Sequence, residues 1–245
     1  MICKNCNNNF DGNFCNNCGQ EATVGRIDFK YLIDGIANSI FQIDHGFLYT
    51  LKNLFIRPGN TIKDFLAGKR KPLLKPIAYV LFTATLYVIT TYITGRNTYL
   101  VDVVSGIAEG VNNNSEETSN SVRVLNWFAS NHAYSTLLLL PFFTLASYLA
   151  FIKSKYNYFE HLVLNSYVSG QHMVIYLMLS FVFHNYYSEI IPVLLGISYT
   201  FWVYNQFFKY KKSFSKILLT LLTYLVSLFF LILFLVMVIF VGFMI

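Results

Sequence analysis

Five stretches of this chain run for about twenty residues or more without Asp, Glu, Lys or Arg, the length an α-helix needs to cross roughly 30 Å of hydrocarbon. They are Pro76–Gly95, Ala133–Ile152, Leu162–Phe183, Ile190–Phe208 and the segment from Ile217 onward. A chain of 245 residues that is 55% apolar, 18% aromatic and 12% charged is too apolar for a water-soluble globule of this size. The expected fold class is therefore an all-α polytopic membrane protein with about five transmembrane helices, near 76–95, 133–152, 162–183, 190–208 and 217–241. The last window exceeds what a bilayer requires and is expected to tilt or to leave its end among headgroups.

Lysine and arginine fall on alternate sides of these windows. Ten precede the first; Lys153 and Lys155 separate the second from the third; Lys209, Lys211, Lys212 and Lys216 separate the fourth from the fifth. The other two connections hold only Arg96 and Arg123, against Asp102, Glu109, Glu116, Glu117 and Glu189. The positive-inside rule then puts the N-terminus in the cytoplasm and the C-terminus outside. Residues 105–121, SGIAEGVNNNSEETSNS, read as a flexible exterior linker.

Residues 1–22 form a separate unit. Cys3, Cys6, Cys15 and Cys18 are spaced Cys-x2-Cys-x8-Cys-x2-Cys. Two such knuckles supply four thiolates to one tetrahedral zinc ion, and Asp11-Gly12 between them suits the turn that folds one pair onto the other. Two disulfides are the alternative, but a cytoplasmic N-terminus lies in a reducing compartment. With four ligands and no open position the zinc is structural. Lys4 is the only basic residue in the knuckles, too little charge for nucleic acid.

Residues 27–72 carry three amphipathic helical patterns: Phe29, Leu32, Ile33, Ile36 and Ile40; Phe47, Leu48, Leu51, Leu54 and Phe55; and Ile62, Phe65 and Leu66. They end in the basic run Lys69, Arg70, Lys71 and Lys75, next to the membrane domain of residues 73–245. Interfacial helices on the inner leaflet are expected, with this run against anionic headgroups. A small helical domain packed on the loops is the alternative.

Several segments, FCNNCGQ, RIDFKYL, DHGFLYTLKNLFIRPG, GKRK, KPIAYVLF and EHLVL, occur in this order. They resemble a bacterial family known as domain of unknown function 3667, which pairs a zinc ribbon with several membrane helices. The resemblance covers about the first ninety residues and implies this architecture in a bacterial cell (inner) membrane. It implies no activity.

Within the third window His161, Asn165, Ser169, His172 and Tyr176 fall inside one stripe of about 80° at 100° per residue. A polar stripe in hydrocarbon must face other helices or a water-filled path. Interhelical hydrogen bonding is the favoured reading; a small-solute or ion channel or transporter, in an oligomer, is the rival. No catalytic constellation is found, the one acid/base pair being Glu160-His161, so the chain is not expected to be an enzyme. Its expected partners are the bilayer, a protein docking at the ribbon, and a second copy of itself; nucleic acid is not among them.

Overall fold

The computed structural model describes residues 1–32, 43–95, 130–182, 190–209 and 212–244, together with Arg123, Asn126 and Trp127. Ile33, Ile36 and Ile40 of the first amphipathic pattern, and most of the connection between the first two windows, lie outside the described residues. The architecture is helical: α1 Ile43–Ile56, α2 Pro58–Leu66, α3 Pro76–Thr94, α4 His132–Ala150, α5 Tyr158–Val182, α6 Ile190–Phe207 and α7 Ser213–Met244. Among the described residues β-pairing is limited to two isolated antiparallel bridges, Ile2 with Asn9 and Phe14 with Glu21.

Helix boundaries follow from local chemistry. Pro58 opens α2 and Pro76 opens α3, positions where a missing N–H costs nothing. Gly95 ends α3 in the left-handed region at φ 66°. The start of α5 is a capping box: the Glu160 amide donates to Asn157 Oδ1 (2.8 Å), and the Asn157 amide donates back to Glu160 Oε2 (2.7 Å).

Every expected window is helical, but the expectation of about five spans is met only in part. Among the described residues, two helical stretches are long and apolar enough to cross a membrane, Pro76–Thr94 and Ser213–Phe234. The described apolar part of α4, Ser135–Ala150, is shorter than a full crossing. Along α5 the apolar run is diluted by His161, Asn165, Ser166, Gln171 and His172.

At the centre of the bundle, α5 packs against α3, α4 and α6, while α7 packs against α4 and α6. Gly170 allows the closest approach: a Cβ there would sit 2.5 Å from the Tyr79 ring of α3. The short helices do not simply lie alongside the bundle. Ile27, Leu54, Ile62 and Phe65 share one core with Tyr167, Val203, Tyr204 and Phe207 from α5 and α6. Gly59 of α2 meets α6 so closely that a Cβ would come within 2.5 Å of Gln206 Cβ and 2.6 Å of the Phe207 amide. Tyrosines fasten this layer. Tyr199 donates to the Leu54 carbonyl (3.0 Å) and Tyr167 to that of Leu74 (2.6 Å).

Candidate metal centre and the buried polar helix

The N-terminal unit is one turn built twice. Cys3, Cys6, Asn7 and Asn8 recur twelve positions later as Cys15, Cys18, Gly19 and Gln20. The Cys3 amide donates to the Asn8 carbonyl (2.9 Å) as the Cys15 amide does to that of Gln20 (2.8 Å), and the amides of Asn7 and Gly19 donate to the carbonyls of Cys3 and Cys15. Asn7 and Gly19 take the same left-handed conformation, φ 59° and 69°. Gly12, at φ 108°, turns the chain between the halves at the Asp11-Gly12 step.

This repeat brings four free thiols together. Cys3 and Cys18 sulfurs are 3.6 Å apart, as are those of Cys6 and Cys15, and all four lie within 4.8 Å of one another. Four sulfurs at 2.3 Å from a tetrahedral ion would be separated by about 3.8 Å, so the donor set fits a metal. Backbone amides prepare the thiolates: the Asn8 N–H lowers Cys6 to about 6. Burial opposes ionisation at Cys15, but the amides of Cys18 and Asn17 outweigh it and leave its pKa lowered. At Cys18 burial prevails and raises the thiol to about 11 despite the Gln20 amide, the counterpart of Asn8. A bound cation would reverse that balance.

The cysteine unit is docked on the layer of short helices of its own chain. Gln20 Oε1 accepts from the backbone amides of Arg70 (3.1 Å) and Lys71 (2.9 Å). Gly68, at φ 111°, leaves the room that Lys4 and Val24 occupy; a Cβ there would lie 2.8 Å from Lys4 Cδ. Arg26 grips Glu160 through both carboxylate oxygens (2.9 and 2.8 Å), and its pKa is raised by that contact. Asn157 adds a bond to the Ile27 carbonyl (3.2 Å). Glu160 is thus engaged by Arg26 and the helix cap, whereas His161 is held by serines.

The basic run is divided. Arg70 is turned inward, with its guanidinium over the Tyr31 ring at 4.3 Å and donating to the Gly25 carbonyl at 2.6 Å. Lys69 pairs with Asp64 (3.2 Å), Lys71 is exposed, and Lys75 is half-buried at the start of α3. Arg70 thus holds the linker, while Lys69 and Lys71 remain exposed.

The stripe of α5 divides into two networks. Ser147 of α4 meets His161 Nδ1 (3.1 Å), accepts from Asn165 Nδ2 (2.7 Å) and donates to the Thr144 carbonyl (3.0 Å). Ser154 meets His161 Nε2 (3.3 Å), and Tyr204 donates to Asn165 Oδ1 (2.7 Å). One proton arrangement satisfies every member: His161 is neutral with Nδ1–H donating to Ser147, and Nε2 accepts from Ser154. His172 Nε2 meets Thr200 Oγ1 (3.0 Å), whose proton goes to the Gly196 carbonyl (3.1 Å), so Nε2 is the donor. Ser169, His172 and Tyr176 line a cavity of about 140 Å³ with Thr136 of α4. Tyr176 also packs on Tyr87.

Sequence reading missed Gln20, Arg26 and Gln206, whose partners are distant along the chain, and gave Gly68 only as a helix end, not as the contact with Lys4 and Val24. The capping box was visible in the Asn-x-x-Glu spacing at 157–160.

Residues 44–88 match the family model described as Protein of unknown function (DUF3667). The matched segment is under a fifth of the chain and holds α1 after its first residue, α2 and the first two-thirds of α3. It thus contains Gly59, Gly68, Arg70 and Tyr79, which join the layer to the bundle and to the cysteine unit. No curated protein and no solved structure matches the chain.

Proposed function

We infer that this is a multi-pass membrane protein whose zinc-bound N-terminal ribbon locks a cytoplasmic layer of short helices to the ends of its membrane helices. Its role is docking or membrane organisation rather than catalysis. The observation that carries the membrane reading is α7: in its most apolar window only 11% of residues are buried. Leu218, Leu221, Leu225, Phe229 and Leu233 are exposed, while His161, Asn165, Gln171 and Thr200 are buried inside. Apolar outside and polar inside is the arrangement hydrocarbon favours.

In this reading the five helical windows cross the bilayer of a bacterial cell membrane, with the N-terminus cytoplasmic and the C-terminus outside. The order of motifs before and within residues 44–88 supports extending the DUF3667 likeness over the ribbon. Tetrahedral sulfur donors beside amide-lined thiols favour zinc as the metal. The ribbon offers a fixed surface beside the membrane to a protein partner. A phosphatase fused after Ile245 is expected to be active outside the cell; activity confined to a cytoplasmic reporter there would refute five spans.

The cavity beside Ser169, His172 and Tyr176 keeps one rival open, a channel or transporter for a small solute. Its size, about 140 Å³, corresponds to roughly five waters at 30 Å³ each. A flux into proteoliposomes that His172→Leu abolishes would promote this reading; no flux from the unaltered protein is expected.

A further inference from the structure

Cations gather at the cytoplasmic end of α6. Lys63 of α2 donates to the Gln206 carbonyl at 2.6 Å, and Lys216 of α7 donates to the neighbouring Asn205 carbonyl at 2.8 Å. A helix C-terminus carries about half a negative charge, which one ammonium already balances. Here there are more. Lys63 and Lys216 thus bond adjacent carbonyls in the last turn of α6, and Lys209 follows two residues after its end; burial and the charges of Lys209 and Lys216 lower Lys63 to about 8.

No acid among the described residues relieves this repulsion. Among the described residues no ion pair includes Lys63, Lys209 or Lys216, and Asp64, the adjacent carboxylate, is engaged by Arg57 (3.4 Å) and Lys69 (3.2 Å). Lys216 is only 8% exposed, an unusual burial for a lysine without a carboxylate. Each ammonium has three N–H groups. Lys63 and Lys216 each spend one on a carbonyl, which leaves donors for an anion with several oxygens.

We propose that Lys63, Lys209 and Lys216 bind the phosphate headgroup of an anionic phospholipid. A free phosphate would satisfy the same donors, but the surface next to them decides for lipid. Phe214, Ile217 and Leu218 flank Lys216 on α7 and are exposed. A headgroup on the lysines would therefore lay its acyl chains along the apolar face of α7. The site is separate from the basic run at 69–75, where Arg70 is turned inward and Lys69 is paired. It rests on the membrane reading above.

The test uses the full-length protein in phosphatidylcholine nanodiscs containing a minority of phosphatidylglycerol, with retained lipid counted by native mass spectrometry. Phosphatidylglycerol is expected to be enriched on the protein. Selectivity should fall about fivefold for each ammonium removed, as in Lys63→Gln with Lys216→Gln. Lys63→Arg with Lys216→Arg should keep it, and Lys69→Gln with Lys71→Gln should leave it unchanged. Should the double glutamine variant lose its helical signal, Lys209→Gln, an exposed position, carries the test and must reduce selectivity. No enrichment on the unaltered protein, equal enrichment on the glutamine variants, or displacement of the lipid by inorganic phosphate would overturn the proposal. A protein that stays in solution without lipid or detergent would refute the membrane reading instead; one that embeds without lipid preference refutes only this site.

Discussion

Gly59 and Lys63, one turn apart on α2, determine how the layer of short helices meets α6. A methyl group on Gly59 would press on backbone atoms, the Phe207 amide at 2.6 Å and the Val203 carbonyl at 2.7 Å, and helix backbone cannot step aside as a side chain can. Gly59→Ala is expected to cost about 1–3 kcal/mol, read as a lower melting temperature in detergent. Gly25→Ala, with nothing within 4 Å of its Cβ, is the control and should change little. Lys63 makes a pH prediction. Its folded pKa is about 8 against an ordinary 10.5, so between these values the unfolded chain binds more protons than the folded one. Stability should therefore rise as pH climbs through that window. A melting series from pH 7.5 to 10 compared with Lys63→Met should show the variant lacking this part of the rise; identical profiles would contradict it. None of these contacts could be read from the sequence, because Lys63 and its Gln206 partner are 143 residues apart. The cysteine cluster was readable because its four thiols are local: the twelve-residue repeat of Cys-x2-Cys brings them within 4.8 Å of one another.

At the level of elements, the cysteine unit, the layer of short helices and α5 are joined by few but specific contacts. Arg26→Ala removes both bonds to Glu160 and the Arg26 contact to the Lys155 carbonyl. Cleavage of the 21–28 linker by a dilute protease should become faster while the helices persist. Metal removal should act one step earlier. Native mass spectrometry should find one zinc per chain, and a strong chelator should expose the cysteines and the linker without loss of most helical signal, since α3 to α7 contain no ligand. The amphipathic patterns at 47–55 and 62–66 correctly gave two helices with an apolar face. What those faces cover was not legible: periodicity says that one side is apolar, but a leaflet and the ends of α5 and α6 look alike to it. The basic run shows the same limit, because Arg70 is cationic in sequence yet is spent on Tyr31 and Gly25.

Across the whole molecule, the described residues of α3 to α7 turn polar side chains such as His161, Asn165, Gln171 and Thr200 inward and the apolar surface of α7 outward. All five windows were legible as helices from the spacing of charges. Their suitability as spans was less so, because α5 trades apolar residues for His161, Asn165 and Gln171, which find partners only once α3, α4 and α6 surround it. A central helix shielded by its neighbours tolerates that polarity; α7, exposed along Leu218 to Met237, does not need to. The most direct measurement of this account is the partition of the full-length protein after alkaline carbonate extraction of cell membranes. A membrane-spanning protein stays in the membrane pellet and is released only by detergent, which is the expected result. Recovery in the aqueous supernatant as a folded, monodisperse protein would contradict it.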